Sequence, residues 1–256
     1  EGQRIIREPS HVEWDMASAE KGGYAHFMLK EIHEQPKAFT DTLRPRLVLE
    51  GNKAKDIKFD EINFGDDWKS ASRIVITACG TAYHAGVVGK YAFEKFARIP
   101  VSVDVASEFR YRNPILKKDD IFIVISQSGE TADTLASLRI VKEAGATTLG
   151  IVNVYASSIA READLVIYTN ALTEVAVATT KAYTMQVFML GLIALKAAHV
   201  NYDKFIDDYK KLNKFINDKR GKGKQYLFFD EIQHVKSFEK AINSFRVSFD
   251  CSIFIT

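Results

Sequence analysis

Three hydroxyl side chains lie within six residues of one another, between residues 126 and 131. The segment reads Ser-Gln-Ser-Gly-Glu-Thr, follows the apolar run 121–125 and precedes an amphipathic pattern, so it lies where a strand turns into a helix. Free N–H groups and the positive dipole end at a helix start favour an anion. Hydroxyls and amides without a lysine suit a phosphomonoester. The alternative is that Ser126 and Ser128 only cap the helix.

Two further segments have residue types that suit the wall of a polar site. Residues 79–81, Cys-Gly-Thr, follow another apolar run and combine a permissive glycine with a hydroxyl. Residues 173–181, Thr-Glu-Val-Ala-Val-Ala-Thr-Thr-Lys, are mostly small and lead into a long helix. In the simpler interpretation, Cys79 is a buried structural thiol, Glu174 a solvated acid and Lys181 an exposed lysine at the rim. Glu174 and Lys181 are nevertheless candidate site residues.

The elements that must position these segments alternate between strand and helix patterns over about 120 residues. The strand patterns lie at residues 73–78, 100–106, 121–125, 148–154 and 165–168, and a long, largely buried helix is expected at 179–199. This alternation predicts an α/β fold with a doubly wound, five-stranded parallel sheet. Ligands of such sheets bind beyond the carboxyl ends of the strands, where residues 79–81 and 126–131 lie.

The regions that flank this alternation show other sequence patterns. A helix is expected at 24–43, kinked or divided by Pro36, and residues 46–70 read as irregular, with Trp68 as an anchor. A small α/β tail follows the sheet, with helices at 202–220 and 237–245 and strands at 226–229 and 251–255. We therefore divide the chain into a connector and helical arm (1–45), an α/β domain (46–200) and an appended segment (201–256).

Composition excludes several classes of protein. The 35 Lys and Arg against 33 Asp and Glu argue against a nucleic-acid-binding surface spread over the whole chain. Two cysteines, Cys79 and Cys251, exclude a disulfide scaffold, and the six histidines show no metal-binding spacing, so we expect neither a metal nor a cofactor. The apolar stretch 187–195 is much shorter than the roughly 20 residues of a membrane span. We expect a cytoplasmic protein with no membrane partner.

Four strings, taken together, resemble the glucosamine-6-phosphate synthase family, also called the isomerising glutamine–fructose-6-phosphate aminotransferases. They lie at residues 79–83, 106–112, 126–135 and 173–181, and the helix at 26–36 is similar to the segment that leads into the isomerase half of these enzymes. The resemblance covers residues 1 to about 200. It implies a sugar-isomerase (SIS) domain, flavodoxin-like in architecture, and a part in amino-sugar synthesis.

The resemblance also implies which residues bind substrate. The family's phosphate cradle falls on Ser126, Gln127, Ser128 and Thr131, and its sugar contacts fall on Thr81 and on Val177, Ala178 and Thr179. Cys79 and Gly80 complete the implied substrate-binding set. The family usually has serine where this chain has Ala82, which removes a hydroxyl, so Ala82 is left out.

The family's catalytic glutamate, histidine and Schiff-base lysine belong to a second SIS domain, and the resemblance covers neither that domain nor the family's glutaminase. We therefore expect this chain, on its own, to bind fructose 6-phosphate or glucosamine 6-phosphate without converting it to product. No catalytic residue is assigned beyond the candidates Glu174 and Lys181. We also expect a homodimer that pairs through the helices of the SIS domain.

Two alternatives remain. The first is a non-catalytic phosphosugar-sensing SIS module, although no basic helix-turn-helix accompanies it. The second is an ATPase-related module, because residues 226–233, Tyr-Leu-Phe-Phe-Asp-Glu-Ile-Gln, resemble the Walker-B region of AAA-type ATPases. The phosphate-binding string G-x-x-x-x-G-K-[ST] is absent from the sequence, which argues against an ATPase.

Overall fold

The computed structural model describes residues 20–51, 53–62, 68, 71–198, 214, 216–218, 225–229, 239–240, 242 and 251–255. The chain divides into two compact units, residues 1–200 and residues 201–256. Asp230 and Glu231 of the Walker-B-like string lie outside the described residues, as do most of the two helices expected in the tail. Nothing in the described part supports the ATPase interpretation.

The first unit begins with a helix and a hairpin. Helix α1 spans Phe27–Leu43, and a 3₁₀ turn at Arg44–Arg46 leads into the antiparallel strands β1 (Leu47–Glu50) and β2 (Lys53–Ile57). The expectation that residues 46–70 are irregular is therefore wrong for the first part of that range. Two strands of four and five residues, rich in charged side chains, produce little of the apolar alternation that predicts a strand.

Pro36 lies inside α1 and does not divide it. A proline in a helix has no N–H for the carbonyl four residues earlier, which here belongs to Ile32. That carbonyl instead accepts a hydrogen bond from the side-chain Nε2 of Gln35 at 3.3 Å. The carbonyl that proline leaves without its backbone donor is thus satisfied locally, and the helix continues.

Five parallel strands form the central sheet, as the sequence predicts. They are β3 (Arg73–Ala78), β4 (Val101–Val105), β5 (Asp120–Ser126), β6 (Thr147–Val152) and β7 (Leu165–Tyr168). Their spatial order is β4-β3-β5-β6-β7, so the chain first moves outward from β3 to β4 and then crosses back to β5. This is the flavodoxin-like order of doubly wound folds, and its switch point lies between β3 and β5.

Helices cover both faces of the sheet. Those that follow α1 are α2 (Gly80–Ala92), α3 (Ala106–Phe109), α4 (Ala132–Glu143), α5 (Ser158–Glu162) and α6 (Lys181–Ala197). Helices α3, α4 and α5 supply side chains to a core with Val75, Phe122 and Val124 on one face of the sheet. Helix α2 packs against the opposite face, and α6 packs against both α2 and α1.

Close approach between these layers depends on two glycines of α2. A Cβ at Gly86 would lie 2.9 Å from Cγ2 of Ile76 in the sheet, and a Cβ at Gly89 would lie 2.8 Å from Cδ1 of Leu190 in α6. Helix α6 is correspondingly buried, as predicted, and Met185, Leu190 and Ile193 have no exposed surface. The layers are therefore packed closely around the strand ends that carry the candidate site.

The second unit contains a pair of parallel strands, β8 (Gln225–Phe229) and β9 (Cys251–Ile255), at the two places where the sequence predicts strands. Among the helices described in either unit, none combines the length and apolar character that crossing a bilayer requires.

Candidate functional site

A cavity of about 250 Å³ lies beyond the carboxyl ends of β3 and β5, at the switch point of the sheet. Side chains from three loops and two helices converge on it. The lining residues are Cys79, Thr81, Ala82, Ile125, Ser126, Gln127, Ser128, Thr131, Glu174, Ala176, Val177, Thr179 and Gln186. The structure therefore brings together segments that are separated by about 100 residues in sequence, at the edge where doubly wound folds bind their ligands.

The loop after β5 is held in shape by its own hydroxyls. The Ser126 and Thr131 hydroxyls share a hydrogen bond of 2.9 Å, and Ser126 Oγ also accepts one from the backbone N–H of Gly129 at 3.0 Å. Ser128 Oγ accepts one from the N–H of Glu130 at 3.2 Å. These bonds form before α4 begins, and among the described residues no side chain caps that helix at Thr131. The interpretation of Ser126 and Ser128 as mere helix caps is thus wrong, and the first N–H groups of α4 remain available to an anion.

Gly129 can only be glycine in this loop. Its φ of +67° lies in the left-handed region, and a Cβ would stand 2.0 Å from Oγ of Ser157. The neighbouring Glu130 does not line the cavity. Its carboxylate accepts a hydrogen bond from the N–H of Ser158 at 2.7 Å, and hydrogen bonding from the Ser158 side chain and backbone lowers the pKa of Glu130. Its negative charge is thus held at the start of α5, outside the cavity lining.

The turn after β3 contributes Cys79 to the lining, and the first turn of α2 contributes Thr81 and Ala82. Gly80 does not line the cavity, and its contribution is a backbone φ of +59° that turns the strand into α2. The free thiol of Cys79 is half-buried and borders the cavity, so the interpretation of Cys79 as a buried structural thiol is wrong. Ala82 offers only a methyl group, in keeping with its omission from the expected binding residues.

Glu174 lines the cavity, but its carboxylate is engaged by the start of α6. Its Oε1 accepts hydrogen bonds from the N–H groups of Thr180 at 2.8 Å and Ala182 at 3.2 Å, and its Oε2 accepts one from the Thr179 hydroxyl at 2.6 Å. It is therefore a helix-capping carboxylate rather than a freely solvated acid. In the same loop, Val177 is fully exposed at the cavity, whereas Ala178 lies outside its lining.

Lys181 is not brought to the cavity. Its side chain is 1 % exposed, and its Nζ pairs with a carboxylate oxygen of Glu34 on α1 at 2.6 Å. We expected Lys181 either at the exposed rim of the site or in the site itself. Both expectations are wrong, because the side chain is buried away from the cavity. Burying an amino group requires a partner, and Glu34 supplies it from an element about 147 residues earlier. The length and charge of a lysine do not reveal such a partner in the sequence.

Two positioning side chains were not anticipated. Glu31 of α1 is buried, and its Oε1 accepts hydrogen bonds from the N–H groups of Val175 at 2.6 Å and Ala176 at 3.1 Å. Asn153, just after β6, donates from Nδ2 to the carbonyl of Leu172 at 2.8 Å, while its backbone N–H donates to the carbonyl of Gln127 at 3.1 Å. Asn153 thereby ties the loop after β5 to the loop after β7.

Three further lining residues were not anticipated, namely Ile125, Ala176 and Gln186, and Ala82, which had been left out, also lines the cavity. Gln186 carries the clearest signal, because it is a polar residue within a long apolar run of α6. The others are apolar, and nothing in their type separates them from ordinary core residues.

The site is a hydrogen-bonding site with little charge. Among its lining residues, Glu174 is the one ionisable carboxylate, and no lysine, arginine or histidine accompanies it. The described residues contain no group of three or more His, Cys, Asp or Glu side chains placed to hold a metal ion. Hydroxyls, amides and the dipole of α4 can bind a phosphoryl group and sugar hydroxyls.

The comparisons with known proteins agree on one family. The model of the SIS domain family matches residues 68–196. The isomerising glutamine–fructose-6-phosphate aminotransferase of Clostridium tetani is 52% identical over 233 residues, which are 91% of this chain and 38% of that protein. The same enzyme of Clostridium acetobutylicum is 56% identical over 196 residues, which are 76% of this chain and 32% of that protein.

A solved structure agrees with these relatives. The C-terminal domain of glucosamine-fructose-6-phosphate aminotransferase from Francisella tularensis is 32% identical, with a TM-score of 0.65, and the match covers 92% of this chain and 72% of that one. The chain spans about a third of the length of the curated relatives that it matches.

Proposed function

This chain belongs to the SIS domain family, and from that premise we propose that it is the phosphosugar-binding half-site of an isomerising glutamine–fructose-6-phosphate aminotransferase. The identities reported above confirm the resemblance seen in the sequence. The proposed ligands are fructose 6-phosphate and glucosamine 6-phosphate. In the proposed division of the chain, residues 46–200 bind the ligand, 1–45 form a connector and arm, and 201–256 are an appended segment.

The observation that carries the proposal is the loop between β5 and α4. Its residues Ser126, Gln127, Ser128 and Thr131 all line the cavity, and the first turn of α4 has no side-chain cap among the described residues. A phosphoryl group placed there would receive hydroxyl and backbone donors and the positive end of the helix dipole. Such neutral donors suit the two negative charges of a phosphomonoester without a metal.

The remaining lining groups suit the sugar. The proposed sugar-binding residues are Cys79, Gly80, Thr81, Val177, Ala178 and Thr179. Thr81, in the first turn of α2, and Thr179, in the loop before α6, both line the cavity, and each hydroxyl can donate and accept a hydrogen bond. Gly80 and Ala178 lie outside the lining, so their proposed contribution is to the shape of the backbone.

We propose that this chain alone binds without turning over its ligand. Isomerisation of an aldose–ketose pair requires a base that moves a proton between neighbouring carbons. Glu174 is occupied by four donors at the start of α6, and Lys181 is buried against Glu34. Neither candidate is free to act, and the acid and base would come from another part of the whole enzyme.

We also propose that the chain forms a homodimer through the helices of the SIS domain. The outer face of α2 and the turn that follows it expose apolar side chains, with exposed fractions of 43% for Val88, 68% for Tyr91 and 42% for Phe96. Contact between two copies would remove this surface from water. Sedimentation at micromolar concentration tests the dimer, and a stable monomer would contradict it.

The proposed setting is the cytoplasm. A hexose 6-phosphate is an anion, and moving a charge into an apolar medium costs too much for it to cross a bilayer unaided. The ligand is therefore retained in the compartment where sugars are phosphorylated. The proposed site needs no nucleic-acid or membrane partner.

A thermal-shift titration of the full chain tests the function. Fructose 6-phosphate and glucosamine 6-phosphate should each raise the unfolding temperature, because a ligand that binds only the folded state stabilises it. Unphosphorylated fructose and Mg-ATP should not. Stabilisation by Mg-ATP alone would overturn the proposal, and so would glucosamine 6-phosphate formation by this chain from fructose 6-phosphate with glutamine or ammonia.

A further inference from the structure

Gln186 is a largely buried residue at the wall of the cavity, and its amide bonds none of the described residues. It lies in the second turn of α6, its residue is 3 % exposed, and it belongs to the cavity lining. Its amide makes no hydrogen bond to the described residues, and its polar atoms are not among the fully buried ones that lack a partner, so they stay accessible from the cavity. An amide that faces a cavity without a protein partner is open to a hydrogen bond with whatever occupies that cavity.

The surroundings of Gln186 are largely apolar. Met185 and Met189 on the same helix are fully buried, and Ile125, Ala82 and Ala176 supply apolar groups to the same cavity lining. The cavity is thus where the Gln186 amide can meet a polar group of a ligand. A glutamine placed so presents both donors and an acceptor to whatever fills the cavity.

We infer that Gln186 is a ligand-binding residue that hydrogen-bonds a hydroxyl of the sugar. The inference rests on the proposed function. A phosphoryl oxygen only accepts hydrogen bonds, whereas a sugar hydroxyl both donates and accepts, as an amide does. The phosphoryl group is also provided for by the loop at 126–131, on a different element from Gln186. Gln186 therefore distinguishes a sugar phosphate from phosphate alone.

The variant Gln186→Met tests this role because it keeps the length of the side chain and removes both polar atoms. In the full chain, we expect the affinity for fructose 6-phosphate to fall about tenfold and the affinity for inorganic phosphate to stay unchanged. The unliganded variant should unfold at about the same temperature as the wild type, because the Gln186 amide makes no hydrogen bond to the described residues that the substitution would remove. Gln186→Asn, which withdraws the amide by one methylene, should weaken sugar-phosphate binding in the same way.

Gln35→Met is the matched control. The Gln35 amide accepts a hydrogen bond from Thr184 at 2.7 Å and donates one to Ile32, so this variant should lower the unfolding temperature while leaving the ratio of the two affinities unchanged. Calorimetric titration with fructose 6-phosphate and with inorganic phosphate measures that ratio.

The possible outcomes distinguish a failure of the inference about Gln186 from a failure of the proposed function. If the wild type binds fructose 6-phosphate and Gln186→Met retains the wild-type ratio, the inference is wrong and the function stands. If Gln186→Met is less stable without ligand, its amide has a structural partner and the inference is again wrong. If the wild type binds neither fructose 6-phosphate nor phosphate, the proposed function fails and the inference fails with it.

Discussion

The carboxylate of Glu31 accepts a hydrogen bond from the backbone N–H of Val175 at 2.6 Å, across 144 residues of sequence. The same oxygen accepts a second bond from Ala176, which lines the cavity. Helix α1 therefore does more than connect this unit to what precedes it, because it fixes the backbone of the loop that forms one wall of the site.

Replacing Glu31 should loosen that wall. In Glu31→Ala, two backbone N–H groups lose their acceptor, which we expect to cost about 1–3 kcal/mol of unfolding free energy and to weaken binding of fructose 6-phosphate. Urea unfolding followed by circular dichroism, with and without the ligand, measures both effects. Lys37→Ala, which removes an exposed pair with Asp41 on the same helix, should change neither. Equal effects of the two substitutions would contradict the role of Glu31.

Removing one hydroxyl of the loop after β5 should reduce phosphate affinity. Ser128 lines the cavity and bonds the N–H of Glu130, so Ser128→Ala removes a donor to the phosphoryl group and a support of the loop. We expect the dissociation constant for fructose 6-phosphate to rise about tenfold, as for a hydrogen bond to a charged group. Calorimetric titration measures it. Ser102→Ala in β4 is the control, and an unchanged affinity in Ser128→Ala would count against the phosphate cradle.

Adding a single methyl group at Gly129 should disrupt the same loop. Gly129→Ala forces a residue with a Cβ into a left-handed conformation and against Ser157, at 2.0 Å from its Oγ. We expect a loss of more than about 1 kcal/mol in unfolding free energy and a loss of phosphosugar binding. Gly191→Ala, in α6 with nothing within 4 Å of its new Cβ, should be neutral or stabilising. Thermal unfolding of the two variants measures the difference. If Gly129→Ala were as stable as Gly191→Ala, the loop would tolerate the added methyl group and the prediction would be wrong.

Acid should destabilise the fold at the start of the central strand β5, where Asp120 lies. Burial raises the pKa of this carboxyl, but hydrogen bonds from Arg73, from the N–H of Lys117 and from Ser72 outweigh burial, so the pKa is lowered from its usual value of 3.8. A carboxyl with a lowered pKa in the folded state contributes stability that is complete above pH 3.8 and is lost as the pH falls through the folded value.

The test is the pH dependence of unfolding between pH 2 and pH 6, taken as about the range over which an aspartate titrates. Asp120→Asn should be less stable than the wild type at pH 6 and should lose less stability on acidification. The pKa of Asp164 is also lowered, since hydrogen bonds from Thr148 and Lys142 outweigh its burial, so part of the acid sensitivity should persist in the variant. Parallel pH profiles for the two proteins would show that Asp120 contributes nothing to acid sensitivity.

The sheet could be predicted from the sequence because its strands are buried on both faces. Runs such as residues 121–125, Ile-Phe-Ile-Val-Ile, have few other structural explanations when hydroxyl-rich turns and amphipathic helices follow them. The position of the loops at 79–81 and 126–131 then follows from the topology of parallel sheets. The hairpin of β1 and β2 could not be predicted, since both strands are short and partly polar.

The partners of individual side chains were beyond the reach of the sequence. Glu174 and Lys181 lie seven residues apart, yet one caps α6 and the other is buried against Glu34. The role of Lys181 depends on where α1 packs, and no local pattern specifies that contact, whereas the donors to Glu174 lie within eight residues of it in the sequence. Gln186 differs, because a lone amide in an apolar helix is visible in the sequence once the helix is placed next to the site.

A crystal structure of the full chain with fructose 6-phosphate tests the central claim most directly. The account predicts the phosphoryl group at the start of α4, within hydrogen-bonding distance of the Ser126, Ser128 and Thr131 hydroxyls or the adjoining backbone N–H groups. A phosphoryl group held elsewhere, with the segment 126–131 free of ligand, would contradict it.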